Sequence, residues 1–326
     1  MSVCQSVKPQ STNVVPIIES NGDNLSLARW VSENSADIES LLDNPGAVLF
    51  RGFPIRNEKS FQDAVESFST ERLRYMYRST PRRELADRIY TATEYPKNFE
   101  IQMHNENSFQ RDWPMRLLFC CIQPAAQGGC TPLASTEKVT EKIDPAVREK
   151  FKAKKVMYVR NYGLGIDLPW ETVFQTQQKS EVEQFCAANG MEFEWRPRNA
   201  LRTRQVCQAV ARHPRTGQEL WFNQAHLFHI SSLDTKTLEA MSKLLREDEL
   251  PRNAYYGDGS PIESEMLSHI RAAYDVEKIS FPWQRGDVLL LDNMLLCHGR
   301  QAFQGERKVL AAMTHAFSAM GGTVKS

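Results

Sequence analysis

Apolar residues near the amino terminus fall at roughly helical spacing, at Leu27, Trp30, Val31, Ile38, Leu41 and Leu42, which predicts helix after a loose arm reaching to about Asn24. Asp43-Asn44-Pro45-Gly46 ends that stretch. Ala47 to Phe50 is a short continuous apolar run of the kind that forms a buried strand, and Ser60 caps a helix carrying Phe61, Ala64, Val65 and Phe68 on one stripe. Residues 75 to 93 are charged and irregular, which predicts a surface loop or lid.

Two strands are expected next. Phe99 to Glu106 carries the triplet His104-Asn105-Glu106, and Met115 to Ile122 is apolar almost throughout, as expected of a strand covered on both faces. Gln127-Gly128-Gly129 turns the chain into a third strand, Cys130 to Ala134. Asp144 with Pro145 starts a helix, Val156 to Tyr162 reads as strand, and Ser180-x-x-Glu183 forms a capping box for a helix closed by Gly190. Met191, Phe193 and Trp195 alternate as a strand, and the turn His213 to Gly217 joins Val206–Ala211 to Glu219–Phe222 in a hairpin. Helices are expected from Asp234 to about Arg246 and, behind the box at Ser260 to Glu263, to about Tyr274. Strands return at Val288–Leu291, Leu295–His298 and Val309–Phe317. Short strands around long insertions, with no alternating strand–helix period, predict a barrel or sandwich decorated by helices. The expected class is mainly β with helices (α+β), one domain over residues 1–326 with a helical insertion at about 135–280.

Charge narrows the partners. Lysine plus arginine (40) balance aspartate plus glutamate (40), so no net field draws the chain to nucleic acid or to an anionic membrane surface. No apolar run reaches the length of a membrane span, and Met1 to Thr12 lack the apolar centre of a signal peptide, so a cytoplasmic protein is expected. The seven cysteines show no C-x-x-C pair, which argues against a disulfide framework or structural zinc.

Function must then come from a site. His104-Asn105-Glu106 places two potential ligands on one face if the strand is extended through them, and His298 in Cys297-His298-Gly299-Arg300 supplies a second imidazole. Two imidazoles and one carboxylate form the facial set that holds non-haem iron(II) with positions left open. Asn105 points to the other face, as a sheet-backing hydrogen bonder or a rim residue. Arg307, nine positions after His298, can grip a carboxylate with two parallel hydrogen bonds, and Thr131 can add a hydroxyl to the same anion.

These residues stand within five ordered motifs: Gly-Ala-Val-Leu-Phe-Arg-Gly-Phe (46 to 53), His-Asn-Glu (104 to 106), Gly-Gly-x-Thr-Pro-Leu-Ala (128 to 134), Trp-x-x-Gly-Asp-Val-Leu-Leu-Leu-Asp-Asn (283 to 293) and His-Gly-Arg-x-x-Phe-x-Gly-x-Arg (298 to 307). Together they resemble the taurine dioxygenase (TauD/TfdA) superfamily of iron(II)/2-oxoglutarate oxygenases, over roughly Gly46 to Phe317. With Tyr158-Val159-Arg160-Asn161-Tyr162 and Trp221-Phe222-Asn223-Gln224, the chain is similar to the branch that hydroxylates amino acids in peptide natural-product assembly. The resemblance implies a double-stranded β-helix (jelly-roll) core and iron(II) held by His104, Glu106 and His298. It further implies 2-oxoglutarate held by Arg307 with Thr131, and dioxygen as co-substrate. The implied reaction is hydroxylation of a free or carrier-bound amino acid, coupled to decarboxylation of 2-oxoglutarate. Glu106 stands where many members have aspartate; a complete carboxylate ligand argues against halogenation. Lys308 competes with Arg307 for the equivalent strand position.

Bland readings remain for most of the polar residues. Asn105, Arg160, Asn161, Tyr162, Arg202, Asn223 and Arg300 are candidate substrate contacts, with Trp221 as an aromatic wall, although each taken singly fits a structural role. His213, His226 and His229 are rival ligands, and His226-Leu-Phe-His229 has helical spacing but no nearby acid before Asp234. The same oxidising chemistry can desaturate, epoxidise or cyclise. A non-catalytic binding module would have lost a ligand, and a hydrolytic zinc enzyme would leave Arg307 and Thr131 without a role.

Overall fold

The computed structural model describes residues 4–6, 15–20, 25–74, 77, 83–92, 95–163, 165–319 and 324–325. A nine-stranded sheet dominates. Its order is Cys4–Ser6, Pro16–Glu19, Ala47–Arg51, Val288–Asp292, Asp112–Gln123, Lys308–Ser318, Ile89–Thr91 and Glu84–Ala86, with Val324–Lys325 paired to Lys308–Ser318. The apolar run at 115–122 lies in its middle, hydrogen-bonded on one side to Val288–Asp292 and on the other to Lys308–Ser318.

Alternation along these strands makes two layers. Leu118, Cys120, Ile122, Leu290 and Leu310 face a cluster with Trp30, Phe50 and Phe61, which the helices Leu27–Glu33, Ser35–Asp43 and Glu58–Phe68 cover. Leu117, Phe119, Cys121, Leu289, Leu291 and Val309 face the opposite way, toward Leu133 and Leu296 of a second sheet. That sheet has three strands, in the order Ile101–His104, Leu296–Arg300, Leu133–Ser135. Between Leu133–Ser135 and Val288–Asp292 the chain builds a four-stranded antiparallel sheet, ordered Glu192–Arg196, Ala200–Cys207, Val156–Tyr162, Arg252–Tyr256. The helices Pro145–Lys154, Lys179–Ala188 and Ser264–Glu277 accompany it.

Several boundaries differ from those the pattern predicts. The stretch 75–93 is not all loop: Glu84–Ala86 and Ile89–Thr91 pair and extend the main sheet, while 75, 76, 78–82 and 93 lie outside the described residues. Within those two strands only Ile89 and Tyr90 are buried, too few to show a period. The first helical stretch is two helices, parted at Asn34, whose amide donates to the Trp30 carbonyl. Asn57, not Ser60, caps Glu58–Phe68; Ser60 is its reciprocal partner. Ser180 lies inside the first turn of its helix, with Gln178 at the cap. Glu263 caps Ser264–Glu277, and the Ser260 hydroxyl bonds Asp258 instead. The third strand is Leu133–Ser135, and the predicted hairpin narrows to Val210–Arg212 with Glu219–Trp221, because Val206 and Cys207 belong to the four-stranded sheet.

Among the described residues no helix is long and apolar enough to cross a membrane. The thiols of Cys120, Cys121, Cys130, Cys186, Cys207 and Cys297 are all free, and all but Cys130 are buried.

Candidate active site

The two histidines meet because their strands pair. His104 closes Ile101–His104 and sits opposite His298 in antiparallel register, with ring centroids 4.5 Å apart. The register shifts between His298 and Arg300, a bulge of the kind that re-aims side chains beside a site. Gly299 is required there, since a Cβ would stand 2.6 Å from the Ile101 carbonyl oxygen. Phe119, from the inner face of the main sheet, packs on the His298 ring with centroids 5.1 Å apart. The site therefore lies between the two sheets.

Glu106 arrives differently from the expected extended strand. The strand stops at His104, and residues 106–109 form a turn in which Ser108 N–H donates to the Asn105 carbonyl and Asn107 has φ of 58°. The carboxylate still reaches the histidines: Glu106 Oε2 is 3.9 Å from His298 Nε2, and the ligand atoms of His104, Glu106 and His298 all lie within 4.8 Å of one another. His104 Nδ1 donates to the Gln102 carbonyl at 2.8 Å, which fixes the tautomer and assigns ligation to Nε2. Glu106 and His298 are buried. Two imidazoles and a carboxylate in this arrangement suit ferrous iron, and no other group of ligating residues is found among the described residues.

Arg307 lies mostly buried along the turn that carries Thr131, two residues before Leu133, which pairs with His298. Its Nε donates to the Gly129 carbonyl at 2.8 Å and its Nη2 to Thr131 Oγ1 at 3.4 Å. A Cβ at Gly129 (φ +71°) would stand 3.0 Å from Arg307 Cδ, so glycine makes room for the side chain. Burial, then the charge of Arg300, lowers the Arg307 pKa to about 10. Among the described residues no carboxylate pairs with it. Lys308 points outward and ion-pairs with Glu58 on the covering helix, which leaves Arg307 as the cation on the site's side of the strand.

The seven candidate substrate contacts are not brought together. Asn105 is fully buried behind the ligands, its amide donating to the Asn293 carbonyl at 2.7 Å and to Thr136 Oγ1 at 3.1 Å. Arg160 and Tyr162 share one face of the four-stranded sheet with Thr203; the Arg160 guanidinium lies over the rings of Tyr77 and Tyr162, and the Tyr162 hydroxyl donates to that of Tyr77. Asn161 and Arg202 occupy the opposite face, bonded to each other and to main-chain carbonyls at Asp248 and Leu250. Asn223 is held by Ala209 and Ala225, and Trp221 packs on Phe151 in the core. Arg300 donates to the carbonyls of Tyr95, Pro96 and Phe99, fixing that segment beside the bulge.

The rival histidines have other partners. His213 Nε2 is 3.0 Å from Asp292 Oδ2. His226 Nε2 donates to the Met103 carbonyl, and burial lowers its pKa to about 4. His229 bonds Ser231. Two contributors went unread in the sequence: Trp283, whose indole N–H donates to Thr131 Oγ1, and Asn293, which binds the main chain of Glu106. Both lie in the motif 283 to 293, where they read only as family pattern.

Comparisons with known proteins agree with this geometry. The model of the family "Taurine catabolism dioxygenase TauD, TfdA family" matches residues 7–314. The chain is 41% identical over 315 residues to the dapdiamide synthesis protein DdaC of Enterobacter agglomerans, covering 96% of this chain and 95% of that protein. It is 32% identical over 288 residues to a clavaminate synthase-like protein of Arabidopsis thaliana, covering 85% and 83%. Among solved structures it is similar to PvcB of Pseudomonas aeruginosa, with a TM-score of 0.56 at 16% identity over 98% of this chain and 94% of that one. The chain belongs to the TauD, TfdA family and is an iron(II)- and 2-oxoglutarate-dependent dioxygenase.

Proposed function

We propose that this dioxygenase hydroxylates an amino acid, free or tethered to a carrier protein, in the making of a specialised metabolite. The observation that carries the reading is the convergence of His104, Glu106 and His298 within 4.8 Å, together with a mostly buried arginine on the turn leading to His298's strand partner that no carboxylate of the described residues neutralises. The similarity to DdaC, a dapdiamide synthesis protein, supports the biosynthetic setting.

His104 through Nε2, His298 and the Glu106 carboxylate would hold the metal. Arg307 would take the distal carboxylate of 2-oxoglutarate, for a mostly buried guanidinium favours an anion that restores its charge balance. Thr131 Oγ1 already accepts from Trp283 Nε1 at 3.1 Å and from Arg307, so its own proton remains to donate to the same carboxylate. Iron(II), 2-oxoglutarate and dioxygen, once bound, supply the oxidising power that turns a substrate C–H into C–OH while 2-oxoglutarate leaves as succinate and carbon dioxide. Phe119, packed on the His298 ring, would close one side of the site and help exclude water. Of the polar residues in the insertion, Arg160, which lies over the rings of Tyr162 and Tyr77 and 3.9 Å from Asp167, is the buried cation we assign to an amino-acid carboxylate.

The main sheet and the three-stranded sheet are then the two walls of a double-stranded β-helix. Residues 1–326 act as one oxygenase domain with an insertion at about 135–280, and the protein works in the cytoplasm.

Anaerobic addition of iron(II) and 2-oxoglutarate tests the reading: the folded protein should develop the weak visible charge-transfer band of the chelate, and His104→Ala should lose it. A well-folded wild type without the band sinks it. Mass spectrometry on a panel of free and carrier-bound amino acids, seeking the gain of one oxygen atom, then identifies the substrate class.

A further inference from the structure

We propose that Asn293 is a positioning residue for the carboxylate ligand, holding the main chain of Glu106 in place of the strand ladder that ends at His104. This rests on the reading of His104, Glu106 and His298 as metal ligands.

A ligand on a strand has its main-chain groups fixed by neighbouring strands, but Glu106 lies in a turn. Both of its main-chain groups are instead taken by one side chain 187 residues away: Asn293 Oδ1 accepts the Glu106 N–H at 2.7 Å, and Asn293 Nδ2 donates to the Glu106 carbonyl at 2.9 Å. The carboxamide thus reproduces the paired bonds of an antiparallel ladder. Its second amide proton goes to the Pro114 carbonyl at 2.8 Å, and the Asn293 main chain is fixed by its N–H to the Met115 carbonyl. The pairing is reciprocal, because the Asn105 amide donates to the Asn293 carbonyl at 2.7 Å. Asn293, Asn105 and Glu106 are almost wholly buried, so water does not replace a lost bond cheaply. Asn293 also stands five residues before His298, so one turn ties two of the ligands to each other.

Neighbouring bonds brace the carboxamide in turn. Asp292 Oδ1 accepts the N–H groups of Met294 and Leu295, and Asp292 Oδ2 meets His213 Nε2. His213 Nδ1 accepts the N–H groups of Arg215 and Thr216, so Nε2 carries the proton given to Asp292.

Cobalt(II) alone, titrated anaerobically into the full chain and followed by its d–d absorption, tests the inference without turnover. Asn293→Ala should bind cobalt about tenfold or more weakly, with altered band positions, as loss of groups that orient a ligand does. Leu27→Ala, buried under the opposite face of the main sheet, should lower the melting temperature yet leave affinity and spectrum unchanged. Binding by Asn293→Ala within twofold of wild type, with the same spectrum, overturns the inference alone. Should Asn293→Ala not fold, Asn105→Ala decides: a shifted spectrum with weaker binding supports the role, and wild-type behaviour overturns it. A wild-type chain that takes up no cobalt overturns the metal-site reading and this inference with it.

Discussion

At Arg307 the structure sets a charge where the surroundings do not want one. Burial lowers its pKa from the ordinary guanidinium range to about 10, so the folded protein holds that proton less tightly than the unfolded chain does. The sign is a cost at neutral pH, relieved as pH rises from about 10 toward the ordinary guanidinium pKa or when an anion binds. Arg307→Met should therefore raise the stability of the ligand-free protein by on the order of 1 kcal/mol in urea titrations. The same change should abolish the rise in melting temperature that wild type shows with divalent metal and 2-oxoglutarate. Arg307→Lys keeps the charge and loses the fork, and should raise the KM for 2-oxoglutarate by about ten- to a hundredfold, matching the 1.5–3 kcal/mol of hydrogen bonds to a charged group. His226 titrates in the acid range. Its pKa, about 4 in the fold against the usual 6.5, makes the neutral ring the stable form, so this contribution is fully present above about 6.5 and is lost as pH falls toward about 4. Urea midpoints measured across that window should fall with pH, and less so in a folded His226→Gln variant.

Among the elements, the segment before Ile101–His104 depends on one side chain. Arg300 holds the carbonyls of Tyr95, Pro96 and Phe99 at 2.7–2.8 Å and is stacked against Phe303. Lysine cannot span three carbonyls, so Arg300→Lys should raise amide hydrogen exchange in residues 95–100 by at least tenfold while exchange in Asp112–Gln123 stays unchanged. The four-stranded sheet teaches a different lesson. Val156–Tyr162 was legible as a strand, and alternation then forbids Arg160 and Asn161 from facing one pocket; grouping them with Tyr162 and Arg202 followed polarity and neglected the period. The turn at Glu106 was not legible, because the carboxamide that holds it arrives from residue 293 and leaves no local trace. Likewise the short strands Glu84–Ala86 and Ile89–Thr91 owe their existence to pairing at a sheet edge, which local pattern does not encode.

For the molecule as a whole, the buried strands were the readable part. Ala47–Arg51, Asp112–Gln123, Val288–Asp292 and Lys308–Ser318 are apolar on both faces because helices cover one side and the second sheet faces the other, and continuous burial writes a continuous apolar run. Removing one of these side chains should cost what a filled core costs: Leu118→Ala should lose about 2–5 kcal/mol of unfolding free energy in denaturant titrations. Metals and co-substrate depend on few residues, and those few carried the motifs; the substrate's surroundings are assembled from an insertion whose faces only pairing reveals. That insertion is not an independent attachment. Through His213 and Asp292 its hairpin presses on the loop that leads to His298, so length changes near residue 213 are transmitted toward the ferrous ligands. A chimera that keeps Asp292 while deleting the His213 imidazole would leave one oxygen of a buried carboxylate without its ring partner, just where the chain turns toward His298.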